Sequence, residues 1–130
     1  MQVTDSGWLK IARDLRDTWK PERFVADPSE PGYITTLRQT LNARPVVENA
    51  NNDVAEGIRR IARGLEPVSE PGRGLMPRLF VHRRCARLIA ELEGYRYREV
   101  RGVLTEQPQE HDDDALDALR YAVMAVTSYR

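Results

Sequence analysis

The stretch RFVADPSEPGYITTLRQTLNARPVVEN, residues 23–49, decides the fold class. Its first five residues form a short apolar run that ends in an acid, and PSEPG interrupts the pattern. This predicts a buried strand whose C-terminal end is at Asp27. Apolar residues at helical spacing between Tyr33 and Leu41 predict a helix, and RPVVEN (44–49) predicts the next strand. A strand, a helix and a second strand in this order indicate a parallel pair joined by a crossover.

The same alternation continues on both sides of this stretch. RLFVH (78–82) predicts a third strand, EPVSEPGRG (66–74) a loop, and YRYREVRGVL (95–104) a further extended segment. Gly94 is the predicted end of the helix before that segment. Apolar residues at helical spacing predict four more helices, over residues 6–19, 54–65, 85–94 and 113–128. We therefore expect an α/β fold with a small, mostly parallel sheet flanked by helices.

Size and composition describe a single globular domain. The chain has 130 residues, of which 41% are hydrophobic and 31% are charged, and its formal net charge is zero. Cys85 is the single cysteine, which excludes a disulfide framework and a zinc knuckle. The sequence shows no apolar run long enough to cross a membrane and no signal peptide, so a cytoplasmic location is expected.

Basic residues are concentrated in the middle of the chain. Residues 59–101 hold 11 arginines and 5 acids, although the zero total charge argues against a protein that coats DNA non-specifically. Four arginines lie around the end of the predicted third strand: Arg83 and Arg84, with Arg78 and Arg87. This group has two interpretations: a track for DNA phosphates, or a solvated helix face whose arginine stems cover apolar surface.

Two acidic motifs are candidates for chemistry. Asp27 follows a predicted strand, where functional groups collect in open α/β sheets, but Asp-Pro also favours a plain turn or helix cap. In HDDDALDALRYAV (111–123), Asp117 lies one turn inside the predicted helix and three residues after Asp114. Asp117 would either pair with Arg120 or share a divalent cation with Asp27. Carboxylates without Cys or His suit Mg²⁺ or Mn²⁺.

Four stretches in order resemble the nuclease domain of phage terminase large subunits: VADPSEPGYITTLRQ, NDVAEGIRRIARGL, MPRLFVHRRCARLIAELEGYRYRE and DDALDALRYAV, which fall between residues 20 and 128. The resemblance implies a ribonuclease H-like fold and a two-metal Mg²⁺ or Mn²⁺ endonuclease that cuts concatemeric viral double-stranded DNA. It places the family's second catalytic aspartate at Asp27 and its last one at Asp117. Many members have a histidine where this chain has Asp114, which stays a possible metal ligand.

The chain also departs from that family. No aspartate on a strand precedes the helix around Trp8, so the family's first catalytic aspartate has no counterpart, and the packaging ATPase motif is absent. We therefore expect residues 1–130 to be a single, truncated nuclease domain. The partners implied are double-stranded DNA, the ATPase portion, the small terminase subunit and the portal, with a homo-oligomer or a complementing chain and no membrane. The alternative is a catalytically incomplete remnant or docking module.

Overall fold

The computed structural model describes residues 5–42, 44–100 and 114–126. The chain divides into two compact units, Met1–Asn52 and Asp53–Arg130, and each has a hydrophobic core of its own. The single domain expected from the length stays a prediction. None of the helices in the described ranges is both long and apolar enough to span a bilayer.

The first unit contains the parallel strand pair that residues 23–49 predict. Its elements are α1 (Asp5–Trp19), β1 (Arg23–Ala26), α2 (Pro31–Leu41) and β2 (Val46–Asn49). The strands β1 and β2 are parallel, with Arg23 opposite Val46 and Ala26 opposite Asn49. The crossover between them is α2, which packs on β2. Strand, helix, strand and parallel pairing are all confirmed.

The core of this unit lies between its two helices and the sheet. Three α2 residues at helical spacing, Ile34, Leu37 and Leu41, are buried against Ala12 and Val47. This spacing is the physical reason that α2 forms, because one apolar stripe faces the core on each turn. The α1 stripe is buried less completely than its periodicity predicts, and Trp19 at its end is 71% exposed.

The second unit is mainly helical. It contains α3 (Val54–Leu65), β3 (Val68–Glu70), β4 (Gly74–Met76), α4 (Ala86–Val100) and α5 (Asp114–Ala125). Helix α5 packs on both α3 and α4, and Ile61, Leu116 and Val123 are the buried residues at the centre of this packing. The chain is thus a mixed α/β protein that has five helices in its described part.

The predicted third strand is wrong. Residues 78–82 form no strand, and the segment expected to be a loop instead holds the antiparallel hairpin β3–β4. Gly72 and Gly74 lie in and just after its turn at φ of 77° and 74°, a conformation that residues with a Cβ rarely adopt. The parallel sheet in the described residues is therefore limited to β1 and β2, smaller than expected.

The predicted end of the fourth helix is also wrong. Helix α4 continues through Gly94 to Val100, so residues 95–100 are helical and not extended. A Cβ at position 94 would meet no atom within 4 Å, which shows that this glycine sits in an ordinary, uncrowded helical position. Residues 101–104, the rest of the predicted extended segment, lie outside the described residues.

Asp53 is the N-cap of α3, and the carboxylate of Glu56 in the first turn of that helix has arginine partners. Asp53 Oδ1 accepts the Glu56 N–H at 3.1 Å. The Glu56 carboxylate accepts hydrogen bonds from Arg59 at 3.0 Å and Arg60 at 3.2 Å. The hydrogen bond from Arg59, followed by that from Arg60, holds the pKa of Glu56 below its usual value of 4.5.

This arrangement predicts a pH effect on α3. Because the pKa of Glu56 is lower in the folded than in the unfolded state, its stabilisation is fully present above 4.5 and is lost as the pH falls through the folded-state pKa. We expect an NMR titration of the side-chain carboxyl carbon to give a midpoint below 4.5. The variant Arg59→Ala should move that midpoint upward, and a midpoint that stays unchanged in this variant would contradict the assigned cause.

Candidate metal centre

Asp27 lies where the sequence predicts it, directly after β1 and at the carboxyl end of the parallel pair. The ladder continues just past the strands, since the Ala50 N–H donates to the Ala26 carbonyl at 2.7 Å. Asp27 is exposed, and its Oδ1 accepts the Ser29 N–H at 2.9 Å, which makes it the first residue of an Asx turn. The turn interpretation is therefore observed, and it orients the carboxylate at the sheet edge.

A small pocket adjoins this carboxylate within the first unit. Its volume is about 170 Å³. The walls are largely apolar and come from α1, the end of β1 and α2; the lining residues are Trp8, Ala26, Asp27, Glu30, Tyr33, Ile34 and Leu37. Trp8 and Tyr33 meet edge to face there, with their ring centroids 5.5 Å apart. The two carboxylates, Asp27 and Glu30, are the acidic groups of this pocket.

Asp117 lies in the second unit and is paired with Arg120. Arg120 Nη2 donates to Asp117 Oδ1 at 3.0 Å, and the two side chains are 4% and 37% exposed respectively. The salt bridge that the sequence offered as one of two interpretations is thus present. A cation that binds at Asp117 Oδ1 has to compete with a guanidinium that is already desolvated.

The position of Arg120 depends on a glycine of the neighbouring helix. The Arg120 stem crosses α3 at Gly57, so close that a Cβ built on Gly57 would overlap Arg120 Cγ and lie 2.8 Å from Cδ. The guanidinium carbon lies 4.8 Å from the ring centroid of Tyr121, which adds a cation–π contact. Arg120 is therefore a buried arginine held from three sides: by Gly57, Tyr121 and Asp117.

Glu91 of α4 is a charged residue of this region that the sequence interpretation missed. Its side chain is 6% exposed; Oε1 accepts the Leu116 N–H at 2.9 Å, and Oε2 accepts Arg87 Nε at 3.1 Å. Glu91, on α4, thus accepts a hydrogen bond from a backbone N–H in the first turn of α5. The sequence does contain a signal for its burial, because Glu91 lies on the same face of α4 as Leu88 and Leu92.

Asp114, the first residue of α5, stays largely in solvent. Its side chain is 79% exposed, and Arg87 Nη2 lies 3.9 Å from its Oδ2. The acids around the start of α5 therefore alternate with arginines: Arg87 lies between Glu91 and Asp114, and Arg120 is paired with Asp117. Asp112 and Asp113 lie outside the described residues.

The three predicted ligands have the donor chemistry of a hard divalent cation. Asp27, Asp114 and Asp117 are carboxylates, the ligand type that Mg²⁺ and Mn²⁺ prefer. Asp27 belongs to the first unit, whereas the other two belong to the second. No group of three His, Cys, Asp or Glu side chains suited to a metal occurs in the described ranges.

The four arginines that the sequence offers as a phosphate track differ in their surroundings. Arg83 and Arg84 are exposed, in the turn before α4. Arg78 Nη2 instead donates to the Arg63 carbonyl at 3.0 Å, and Arg87 binds Glu91, so these two have structural partners. Cys85, which directly follows Arg84, is also exposed.

Comparisons of the chain with family models, with curated proteins and with solved structures find no significant match in any of the three.

Proposed function

We propose that this chain is part of the nuclease domain of a phage or prophage terminase large subunit, a metal-dependent endonuclease of ribonuclease H-like fold that cuts concatemeric viral double-stranded DNA during packaging. The observation that carries the proposal is the position of Asp27, directly after β1 and at the carboxyl end of a parallel β1–α2–β2 unit. That edge is where α/β sheets place functional groups. The sequence resemblance assigns a catalytic aspartate to the same residue.

In this proposal Asp27 and Asp117 are the catalytic carboxylates, and both hold Mg²⁺ or Mn²⁺ with Asp114 as a third ligand. A bound cation would supply Lewis-acid activation for phosphodiester hydrolysis. The Asx turn keeps the Asp27 carboxylate at the edge of the sheet. Arg120 holds Asp117 in place through Oδ1 and balances its charge when no substrate is present. Arg83 and Arg84 bind phosphates of the DNA backbone.

The direct test is nicking of supercoiled plasmid in the presence of Mn²⁺. We expect nicked product with the unaltered chain, none in EDTA, and none with Asp117→Asn. Asparagine keeps an oxygen that accepts from Arg120, so this variant removes the negative charge but retains a hydrogen bond to the buried guanidinium. The matched control is Asp14→Asn, since Asp14 is an exposed aspartate that binds Lys10 at 2.8 Å on α1. Activity that survives Asp117→Asn would contradict the catalytic assignment.

The second candidate is a catalytically incomplete terminase remnant or docking module. It is favoured by the Asp117–Arg120 ion pair, by the lack of a three-ligand group in the described ranges, and by the unmatched first aspartate of the family. Calorimetric titration with Mn²⁺ separates the two. Tight binding that is lost in Asp27→Asn favours the nuclease, whereas heat changes that are the same in both proteins favour the remnant.

The remaining partners of the proposed domain are the ATPase portion, the small terminase subunit and the portal. A second copy of this chain, or a complementing chain, would contribute the catalytic aspartate that has no counterpart in this sequence. A chain that contributes a carboxylate should restore Mn²⁺-dependent nicking when it is added to an inactive preparation. Sedimentation equilibrium would detect self-association without an added partner.

A further inference from the structure

A basic surface lies on the loop between β4 and α4. This basic loop comprises residues 78–85, RLFVHRRC, and contains three arginines and no acid. Its aromatic residue, Phe80, is 67% exposed. The basic loop therefore presents a phenyl ring to solvent in the same short segment as its positive charges.

The first part of the basic loop is fixed to the second unit. The Gly64 carbonyl, at the end of α3, accepts the N–H groups of both Arg78 and Leu79 at 2.8 Å. The Leu79 side chain packs against the core of Ile61, Leu116 and Val123. Because neighbouring residues of an extended segment point in opposite directions, anchoring Leu79 inward directs Phe80 outward.

The second part is a tight turn that presents Arg83 and Arg84. His82 organises it: its Nδ1 accepts the Arg84 N–H at 3.0 Å, and its carbonyl accepts the Cys85 N–H at 2.9 Å. Both arginines are exposed, and neither forms an ion pair with another described side chain. Two exposed guanidinium groups, which have no ion-pair partner among the described residues, therefore lie within four residues of an exposed phenyl ring.

We propose that the basic loop binds single-stranded nucleic acid, with Phe80 stacked on an unpaired base and with Arg83 and Arg84 on the flanking phosphates. An aromatic platform next to cationic side chains is the arrangement that recognises unpaired strands, because every base offers a π-face and every linkage a charge. A paired duplex hides those faces. An anionic membrane is less suited, since peripheral binding uses an amphipathic helix or several inserted apolar residues and this loop offers one ring.

This surface shares Arg83 and Arg84 with the DNA-binding residues of the proposed nuclease, but it uses neither Asp27 nor Asp117. Its test is therefore a binding measurement in EDTA, where cleavage cannot occur. Fluorescence anisotropy with labelled oligothymidine should show tighter binding than with a duplex of the same length. Phe80→Ala should weaken oligothymidine binding about tenfold, and Phe80→Trp should retain it. Replacing Arg83 and Arg84 together by alanine should reduce the slope of log K against log salt by about 1.4.

Matched controls come from the first unit. Trp19→Ala removes another exposed aromatic side chain, and a paired Arg13→Ala, Arg44→Ala variant removes two exposed arginines; both proteins should bind oligothymidine like the parent chain. Equal affinity for duplex and single strand, or unchanged binding by Phe80→Ala, overturns the proposal. So does binding to phosphatidylserine vesicles without binding to oligothymidine.

Discussion

Replacing Gly57 by alanine is expected to lower the free energy of unfolding of the second unit by about 3 kcal/mol. The added methyl group would occupy the space of the Arg120 stem, whose Cδ lies 2.8 Å from the ideal Cβ position and whose Cγ lies closer still. Arg120 is buried and cannot swing into solvent without breaking its ion pair with Asp117. Either α3 moves away from α5 or a buried charge loses its partner, and both are costly.

Urea unfolding followed by circular dichroism measures this effect, and Gly94→Ala is the matched control. Gly94 is also a helical glycine, but a Cβ there meets nothing within 4 Å, so alanine should stabilise α4 by up to about 1 kcal/mol. The double variant Gly57→Ala, Arg120→Ala should be less destabilised than the sum of the two single changes, because the clash needs both partners. Strict additivity would show that the methyl group and the arginine do not meet.

Replacing Glu91 by alanine should cost about 2–3 kcal/mol of unfolding free energy. The substitution removes a carboxylate that is 6% exposed and leaves the Leu116 N–H without its acceptor. The substitution also removes the acceptor of the 3.1 Å hydrogen bond that Arg87 Nε donates. Because Leu116 is in the first turn of α5, we expect the loss to appear as faster hydrogen exchange at the start of that helix.

The comparison with two other variants makes this prediction specific. Glu91→Gln keeps an oxygen that can accept from Leu116 and should lose only about 1 kcal/mol. Glu93→Ala changes an exposed glutamate two residues away on α4 and should stay within about 0.5 kcal/mol of the parent chain. If Glu91→Ala behaves like Glu93→Ala, then Glu91 does not cap α5.

Local periodicity predicted the helices and the parallel pair well, since each of these elements has an apolar face that is visible in its own sequence. The strand predicted for residues 78–82 failed for a tertiary reason. Its first two N–H groups, of Arg78 and Leu79, both bind the Gly64 carbonyl and join no sheet ladder. An apolar run becomes a strand only where a neighbouring strand accepts its hydrogen bonds. Similarly, Gly94 permits a helix to end but does not require it.

The candidate site was likewise predictable in its residue positions but not in its long-range contacts. The positions of Asp27 after β1 and of Asp117 near the start of α5 follow from local patterns, and both are where those patterns predict them. The contact of Glu91 with Leu116 spans 25 residues, and the approach of Arg120 to Gly57 joins two helices. The position of Glu91 on the apolar face of α4 hinted that it is buried, but no short stretch of sequence shows which residue either side chain contacts, so neither contact was predicted.

The sequence by itself determined which segments become helices, where the parallel pair forms, and which aspartates stand at a strand end and a helix start. These properties depend on side-chain spacing along one element, which periodicity records directly. Only the tertiary structure decided that Asp117 is bound to a buried arginine, that Glu91 caps a helix other than its own, and that Phe80, Arg83 and Arg84 are exposed. Burial and charge compensation are properties of packed surfaces, and they exist only once distant parts of the chain are in contact.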